Sequence, residues 1–255
     1  MTAYVLQHTV HRPWPLPDRP WVLAQRWLDL LFAHWPLPPE TVRPLVPPAL
    51  PLDTFDGQAW IGIVPFRVAG LRPRALPAVP WISYFPELNV RTYVTVDGKP
   101  GVYFFSLDAA SRAAVAGARA LFGLPYHHAE MDVRRKGEWI LYRSRRRDER
   151  DGRAEFRARY RPAGGIFHPA PGTLEHWLTE RYCLFTAAPG PRIRRVEVHH
   201  PPWALQPAEA EIDVNTMVEV LGVSLPPTPP LLHFARRQDV LTWAPQTVRQ
   251  AVPID

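Results

Sequence analysis

The sequence predicts a mainly β, α+β fold, with antiparallel strands and a few short helices in one domain. Three observations lead there. ELNVRTYVTV and PGVYFFSLDA flank Asp97-Gly98, and two β-rich runs around Asp-Gly form the strongest short-range hairpin signal. In residues 153–161, Ala154, Phe156, Ala158 and Tyr160 alternate with Arg153, Glu155, Arg157, Arg159 and Arg161, the period-two pattern of a half-buried strand. No internal repeat and no Gly/Ser linker divides the 255 residues, a length that suits one large domain.

The elements follow in order. Residues 1–20 form a proline-rich arm. In WLDLLFAHW (27–35), Trp27, Asp29, Leu31, Ala33 and Trp35 alternate with Leu28, Leu30, Phe32 and His34; flanking prolines limit the length, and a buried strand is expected. PPETVRPLVPPAL (38–50) reads as one or two helical turns stopped by Pro47-Pro48. AWIGIVPFRV (59–68) is a strand, and residues 70–86 a proline-punctuated loop before the hairpin. SRAAVAGARALFG (111–123) is a helix, with Ser111 as N-cap and Gly123 as the left-handed stop. Residues 127–135, 138–147 and 153–161 read as further strands. TLEHWLTERYCLF (173–185) is amphipathic and reads as a helix containing Cys183. IRRVEVHH and the tract near 210–220 are strand candidates, and PPTPP (226–230) is rigid loop.

Composition excludes several classes. With 46% apolar residues the chain is not disordered. It has no run of about 18 apolar residues, so no membrane helix is expected. The opening MTAYVLQHTVHRPWPLPDRP lacks the basic-then-apolar order of a signal peptide, and a cytoplasmic protein is expected. The single cysteine, Cys183, rules out a disulfide framework. Ten histidines include the pairs His127-His128 and His199-His200, but their spacing matches no zinc motif, so no metal is expected. No phosphate loop or dinucleotide fingerprint is present, and no organic cofactor is expected.

The net charge of +6 is local. Residues 134–161 hold twelve basic and five acidic side chains, and the rest of the chain is almost neutral. Nucleic-acid binding is therefore confined to this arginine-rich hairpin. Asp148, Glu149 and Asp151 at its tip oppose a phosphate backbone, and a solvated outer strand face is the simpler account.

FAHWPLPPETVRPLVPPALPLDTFDGQAWIGIVPF, FPELNVRTYV, PGVYFFSLDA, GLPYHHAEM, GTLEHWLTERYCLF and VHHPPWAL together resemble the YqjF-like family of uncharacterised bacterial proteins, the domain of unknown function numbered 2071. The match spans residues 27–236, the expected core. That family is similar in turn to the acetoacetate decarboxylase-like superfamily, which implies a closed, cone-shaped antiparallel β-barrel around an apolar pocket. The superfamily's Gly-x-Pro-Lys-Lys-x-Ala segment carries a Schiff-base lysine. Here Gly123, Pro125 and Ala129 keep the frame, while Tyr126 stands at that lysine's position and His127 at its neighbour's. The two lysines of the chain, Lys99 and Lys136, fall at turns and are expected to be solvated. Amine chemistry, which needs a desolvated lysine of lowered pKa, is not expected.

The resemblance places Glu87 at the superfamily's pocket glutamate. Strand periodicity puts Glu87, Asn89, Arg91 and Tyr93 on one face. If that face is inward, Glu87 acts as acid or base and Arg91 clamps an anion; otherwise the row is a salt-bridged sheet surface. Tyr126 and one of His127 or His128 would add proton chemistry, against plain packing roles in the barrel mouth. The expected site is thus Glu87, Tyr126 and His127 as catalytic residues, with Asn89, Arg91, His128 and Tyr93 binding the ligand. The expected function is binding of a small carbonyl or carboxylate compound in an apolar pocket by a cofactor-free lyase or isomerase. The alternative is a ligand-binding module or sensor without turnover. Self-association into a homo-oligomer stays open.

Overall fold

In the computed structural model, which describes residues 2–80, 82–147, 153–187 and 192–248, one long wall of strands carries the architecture. It consists of β1 (Leu23–Leu37), β2 (Ala59–Pro73), β3 (Tyr84–Val96) and β4 (Lys99–Ala109). β1 also pairs with β11 (Leu231–Thr242) in long antiparallel register, from Leu23 opposite Thr242 to His34 opposite Leu231. The β3–β4 turn is the expected Asp-Gly hairpin, with Asp97 at φ 52° and Gly98 at φ 70°, the paired left-handed conformation that matches strand twist.

The wall is shared by two ring-like closures. One runs from β4 through β8 (Cys183–Ala187) and β9 (Ile193–His199) back to β11, and β9 also carries the short β12 (Gln246–Val248). The other runs from β4 through β5 (Tyr126–Lys136), β6 (Trp139–Arg146), β7 (Glu155–Pro162) and β10 (Gln206–Asn215) to β11. The sheet is ring-like, and it is not antiparallel throughout: β4 pairs in parallel with both β5 and β8. Four short helices are described: α1 (Thr2–Gln7), α2 (Pro39–Val42), α3 (Arg112–Phe122) and α4 (Leu174–Thr179). α3 begins at Ser111, whose side chain accepts from the Ala114 amide, and ends at left-handed Gly123, as the sequence predicts.

Both faces of the wall are covered, which is why β2 reads as an almost unbroken apolar run. One face (Leu31, Ala33, Ile61, Ile63, Leu88, Val90) packs into the core beneath β6 and β7, with Tyr142, Phe156 and Tyr160. The other faces a cavity. A bulge in β1 at Asp29, where φ is 53°, resets the alternation. Trp27 therefore joins Leu30 and Phe32 at the cavity, although simple periodicity groups it with Leu31.

Three expectations are corrected. The segment 173–185 is not one helix: α4 stops at Thr179, and Cys183 opens strand β8. The Glu180 carboxylate accepts from the Trp203 amide at 2.8 Å and from the Tyr182 hydroxyl, drawing the chain out of the helix into pairing with β9. Lys99 is not a solvated turn residue: it starts β4, pairs with Glu197 at 3.2 Å and lies over Trp14. Residues 70–86 are shorter as a loop, since β2 runs to Pro73 and β3 starts at Tyr84. Lys136 is exposed, as expected.

The arm is fastened through the same Glu197, which takes Arg12 at 3.0 Å and the Trp14 indole at 2.9 Å. On the arginine-rich hairpin, Arg157, Arg159 and Arg161 meet Asp213, Glu211 and Glu209 of β10 at 3.4, 2.7 and 2.8 Å. These three arginines thus face carboxylates of their own sheet. Its tip, with Asp148, Glu149 and Asp151, lies outside the described residues. Among the described residues no helix is long and apolar enough to cross a membrane.

Gly101 fixes the parallel β4–β8 contact. A Cβ there would lie 2.7 Å from the Cys183 carbonyl oxygen and 2.7 Å from the Phe185 ring. Gly101→Ala is expected to destabilise the protein by about 1–3 kcal/mol, as overpacking does; urea denaturation measures this, and an unchanged midpoint would contradict the close approach.

Candidate functional site

The cavity has a volume of about 430 Å3 and is enclosed mainly by apolar side chains. β1 supplies Trp27, Leu30 and Phe32, β2 supplies Val64 and Phe66, and β4 supplies Val102, Phe104 and Leu107. Into this apolar space β3 projects Phe85, Glu87, Asn89 and Arg91 at alternate positions, the spacing that puts a row of side chains on one face. Tyr126 enters from the start of β5 and donates to Glu87 Oε2 at 3.0 Å. The Pro125 carbonyl accepts from the Leu107 amide at 3.0 Å, fixing where β5 begins.

Burial raises the Glu87 carboxyl to about 8, an effect the Tyr126 hydrogen bond only partly opposes. Near neutral pH Glu87 is therefore a protonated acid. Tyr126 is pushed well above the ordinary phenol range, first by burial and then by Glu87. With the Tyr126 hydroxyl donated to one oxygen of Glu87, the acid's own proton is left for a ligand.

Arg91 stands further along β3 and is half-buried. One guanidinium nitrogen donates to the Leu178 carbonyl at 3.2 Å, while Nε has no hydrogen-bond partner. No ion pair joins Arg91 to an acidic side chain among the described residues. Buried Asn89 Oδ1 is also without a partner. Beside Arg91, Arg181 is paired with Asp53 at 2.7 Å, yet its Nη2 is unpartnered.

Tyr93 shares the face of Arg91, as periodicity predicts, but does not line the cavity as expected of a ligand-binding residue. It is fully buried beyond the cavity lining, hydrogen-bonded to His34 Nε2 at 2.7 Å, with its ring 4.7 Å from Trp177. His34 is held neutral by burial and by Arg91, its pKa well below the ordinary imidazole range. Gly62 lies opposite His34 and leaves room for that ring, since a Cβ would come within 2.8 Å of Nε2. Tyr93 and His34 thus form a neutral backing for Arg91.

His127 and His128 do not line the cavity. Tyr126 is the inward residue of β5, and alternation turns His127 away. His128 lies opposite Ala109, the last residue of β4, near Ala110 and Arg112, and burial followed by Arg112 lowers its pKa. The histidine the cavity does touch is His200, stacked on Tyr182 at 4.7 Å. Arg181, His200 and Trp203 also line the cavity and were not assigned to it from sequence. Arg181 was hidden by the helical reading of 173–185. His200 and Trp203 lie in the VHHPPWAL segment, where two adjacent imidazoles suggest a metal ligand rather than a cavity wall. No group of three His, Cys, Asp or Glu side chains is arranged to hold a metal among the described residues.

The DUF2071 model, described as an uncharacterized conserved protein, matches residues 24–239. The chain belongs to the DUF2071 family. It is 50% identical over 228 residues to the uncharacterized protein YqjF of Bacillus subtilis (strain 168), covering 89% of this chain and 93% of that protein. Among solved structures it is similar to the enduracididine biosynthesis enzyme MppR complexed with pyruvate, at TM-score 0.63 and 12% identity over 95% of each chain. It is also similar to acetoacetate decarboxylase from Legionella pneumophila, at TM-score 0.60 and 12% identity, over 94% of this chain and 93% of that one. The DUF2071 chain therefore has an acetoacetate decarboxylase-like fold. In this DUF2071 protein neither lysine lines the cavity.

Proposed function

We propose that the cavity binds a small carboxylate-bearing carbonyl compound and that the protein is a cofactor-free lyase or isomerase acting by acid-base steps. Arg91 takes the carboxylate, and Glu87, a neutral acid oriented by Tyr126, donates its proton to the carbonyl oxygen while a solvent water takes the proton of the adjacent carbon, so that the C–H bond breaks and an enol forms; the reverse transfers return both protons. The observation that carries this reading is a half-buried guanidinium with no acidic partner among the described residues and an unpartnered Nε, on the same strand face of an apolar cavity as the buried Glu87 carboxyl held by Tyr126. A partly desolvated cation lacking a counter-charge favours an anion that joins it. Support comes also from MppR, a protein of this fold that is complexed with pyruvate.

Titration calorimetry with pyruvate and acetoacetate tests the binding. Arg91→Met is expected to weaken it about 10- to 100-fold, the range for a charge-assisted hydrogen bond. Tyr126→Phe should leave the melting temperature within a few degrees while weakening binding, since a neutral hydrogen bond contributes about 1 kcal/mol. Deuterium incorporation into the ligand, followed by NMR, reports enolisation. Binding without deuterium uptake or product would instead favour a non-catalytic binding module. Equal affinity in the parent and Arg91→Met proteins would refute the carboxylate clamp.

A further inference from the structure

Most of the cavity lining is apolar. Glu87, Asn89 and Arg91 lie on one strip of β3, Tyr126 meets that strip at Glu87, and Arg181 and His200 add polar groups from outside β3. Taking about 30 Å3 per heavy atom, the share of a water molecule in the liquid, the cavity of about 430 Å3 has room for roughly 14. A three- or four-carbon oxo acid, of six or seven heavy atoms, would leave about half of it unfilled.

The order of side chains along β3 says where the remaining space lies. Phe85 is next to the β2–β3 connection, and Glu87, Asn89 and Arg91 follow at increasing distance from it. Beyond Phe85 the lining passes to Leu76, Val79 and Ile82 of that connection and to Leu121 of α3. These four are exposed despite being apolar, at 57%, 48%, 47% and 66%. Single exposed aliphatics are ordinary, but four gathered at the opening of an apolar cavity mark a ligand-binding edge. The side of α3 between them and the interior is built from Ala113, Ala114, Gly117 and Ala118, which keeps the passage wide.

We propose that the natural ligand is an amphiphilic carboxylate, whose head sits at Arg91 and Glu87 and whose unbranched apolar tail of about eight to ten carbons runs along α3 to cover the exposed rim. The tail assignment rests on the head-group reading above for its orientation. Its own evidence is the unfilled apolar length and the rim. Burying the tail removes apolar surface of both partners from water, so affinity should rise about threefold to fourfold per methylene.

The test is a titration of the full-length protein with straight-chain saturated carboxylates from butanoate to dodecanoate, and with decanol. Affinity is expected to climb about threefold per methylene up to about decanoate and then level off. Gly117→Leu should narrow the passage, because a Cβ at Gly117 meets nothing within 4 Å and leucine favours the helix. Its series should level off at a chain about four carbons shorter. A series flat from hexanoate to decanoate overturns the tail proposal, even where Arg91→Met still weakens binding of short acids. A rising series in which decanol binds as tightly as decanoate, and Arg91→Met changes neither, overturns the head-group reading while the tail proposal stands. If sedimentation shows a dimer that Leu121→Asp dissociates, and the series is flat, the rim is an interface between two copies and the proposal fails.

Discussion

Asp108→Ala is expected to destabilise the protein by about 3–5 kcal/mol, the cost of leaving one partner of a buried ion pair uncompensated. The Asp108 side chain is wholly buried and that of Arg146 is 2% exposed. Arg146 Nη2 donates to Asp108 Oδ1 at 2.8 Å, and its Nε lies 3.2 Å from the same oxygen. The pair joins β4 to β6, on either side of the strand that carries Tyr126. Arg146→Met should cost a similar amount for the same reason. The double variant Asp108→Leu, Arg146→Met should recover much of the loss, because well-packed apolar replacements of a buried pair are often neutral or stabilising. Urea denaturation of the three variants measures this; a loss below about 1 kcal/mol for either single variant would show that water reaches the pair.

A large pH effect is expected from Glu87. The folded protein holds the Glu87 proton up to about pH 8, whereas the unfolded chain releases it near 4.5. Between those values the unfolded state binds fewer protons, so stability falls as pH rises, by at most about 1.4 kcal/mol per unit from this group. Below the unfolded pKa its favourable contribution is complete, and it is lost as pH rises through the folded pKa. Glu87→Gln keeps a neutral group of similar shape and should remove that slope. Denaturation of parent and variant at pH 5.5 and 7.5 compares them directly. Their stability difference should change by roughly 2–3 kcal/mol across the two units, and parallel curves would show that Glu87 is ionised throughout. Anion affinity should follow the same proton, weakening as Glu87 charges beside Arg91.

The fold was legible wherever a local rule had one outcome. Asp97-Gly98 could only turn the chain, and Ser111 with Gly123 could only bound a helix. The row Glu87, Asn89, Arg91 was legible because strand period alone sets it. Where local rules allowed two outcomes, tertiary contacts decided. RYCLF suits a helix or a strand, and pairing with β4 and β9 made it a strand. The histidines beside Tyr126 were drawn towards the cavity by their place in the motif, but a strand starting at Tyr126 sends the next side chain away. Period placed Tyr93 on the correct face, yet no period reports how deep a cavity runs. Arg181 was the largest omission, since its route to the site depends on the helix ending at Thr179 instead of running on to Phe185.

The pairing of β1 with β11 has a consequence for how the chain is made. β1 leaves the ribosome early, yet its partner emerges about 200 residues later. At a synthesis rate of roughly 5–20 residues per second, that is a wait of about 10–40 s. β2 can pair with β1 in the meantime, but both are apolar on two faces, and neither closure forms until β11 arrives. The nascent wall is then an open sheet with sticky sides and an unpaired edge, the form most prone to join a neighbouring chain. Chaperone depletion, or slowed translation between β10 and β11, should therefore lower the soluble yield of this protein more than that of a helical protein of equal length.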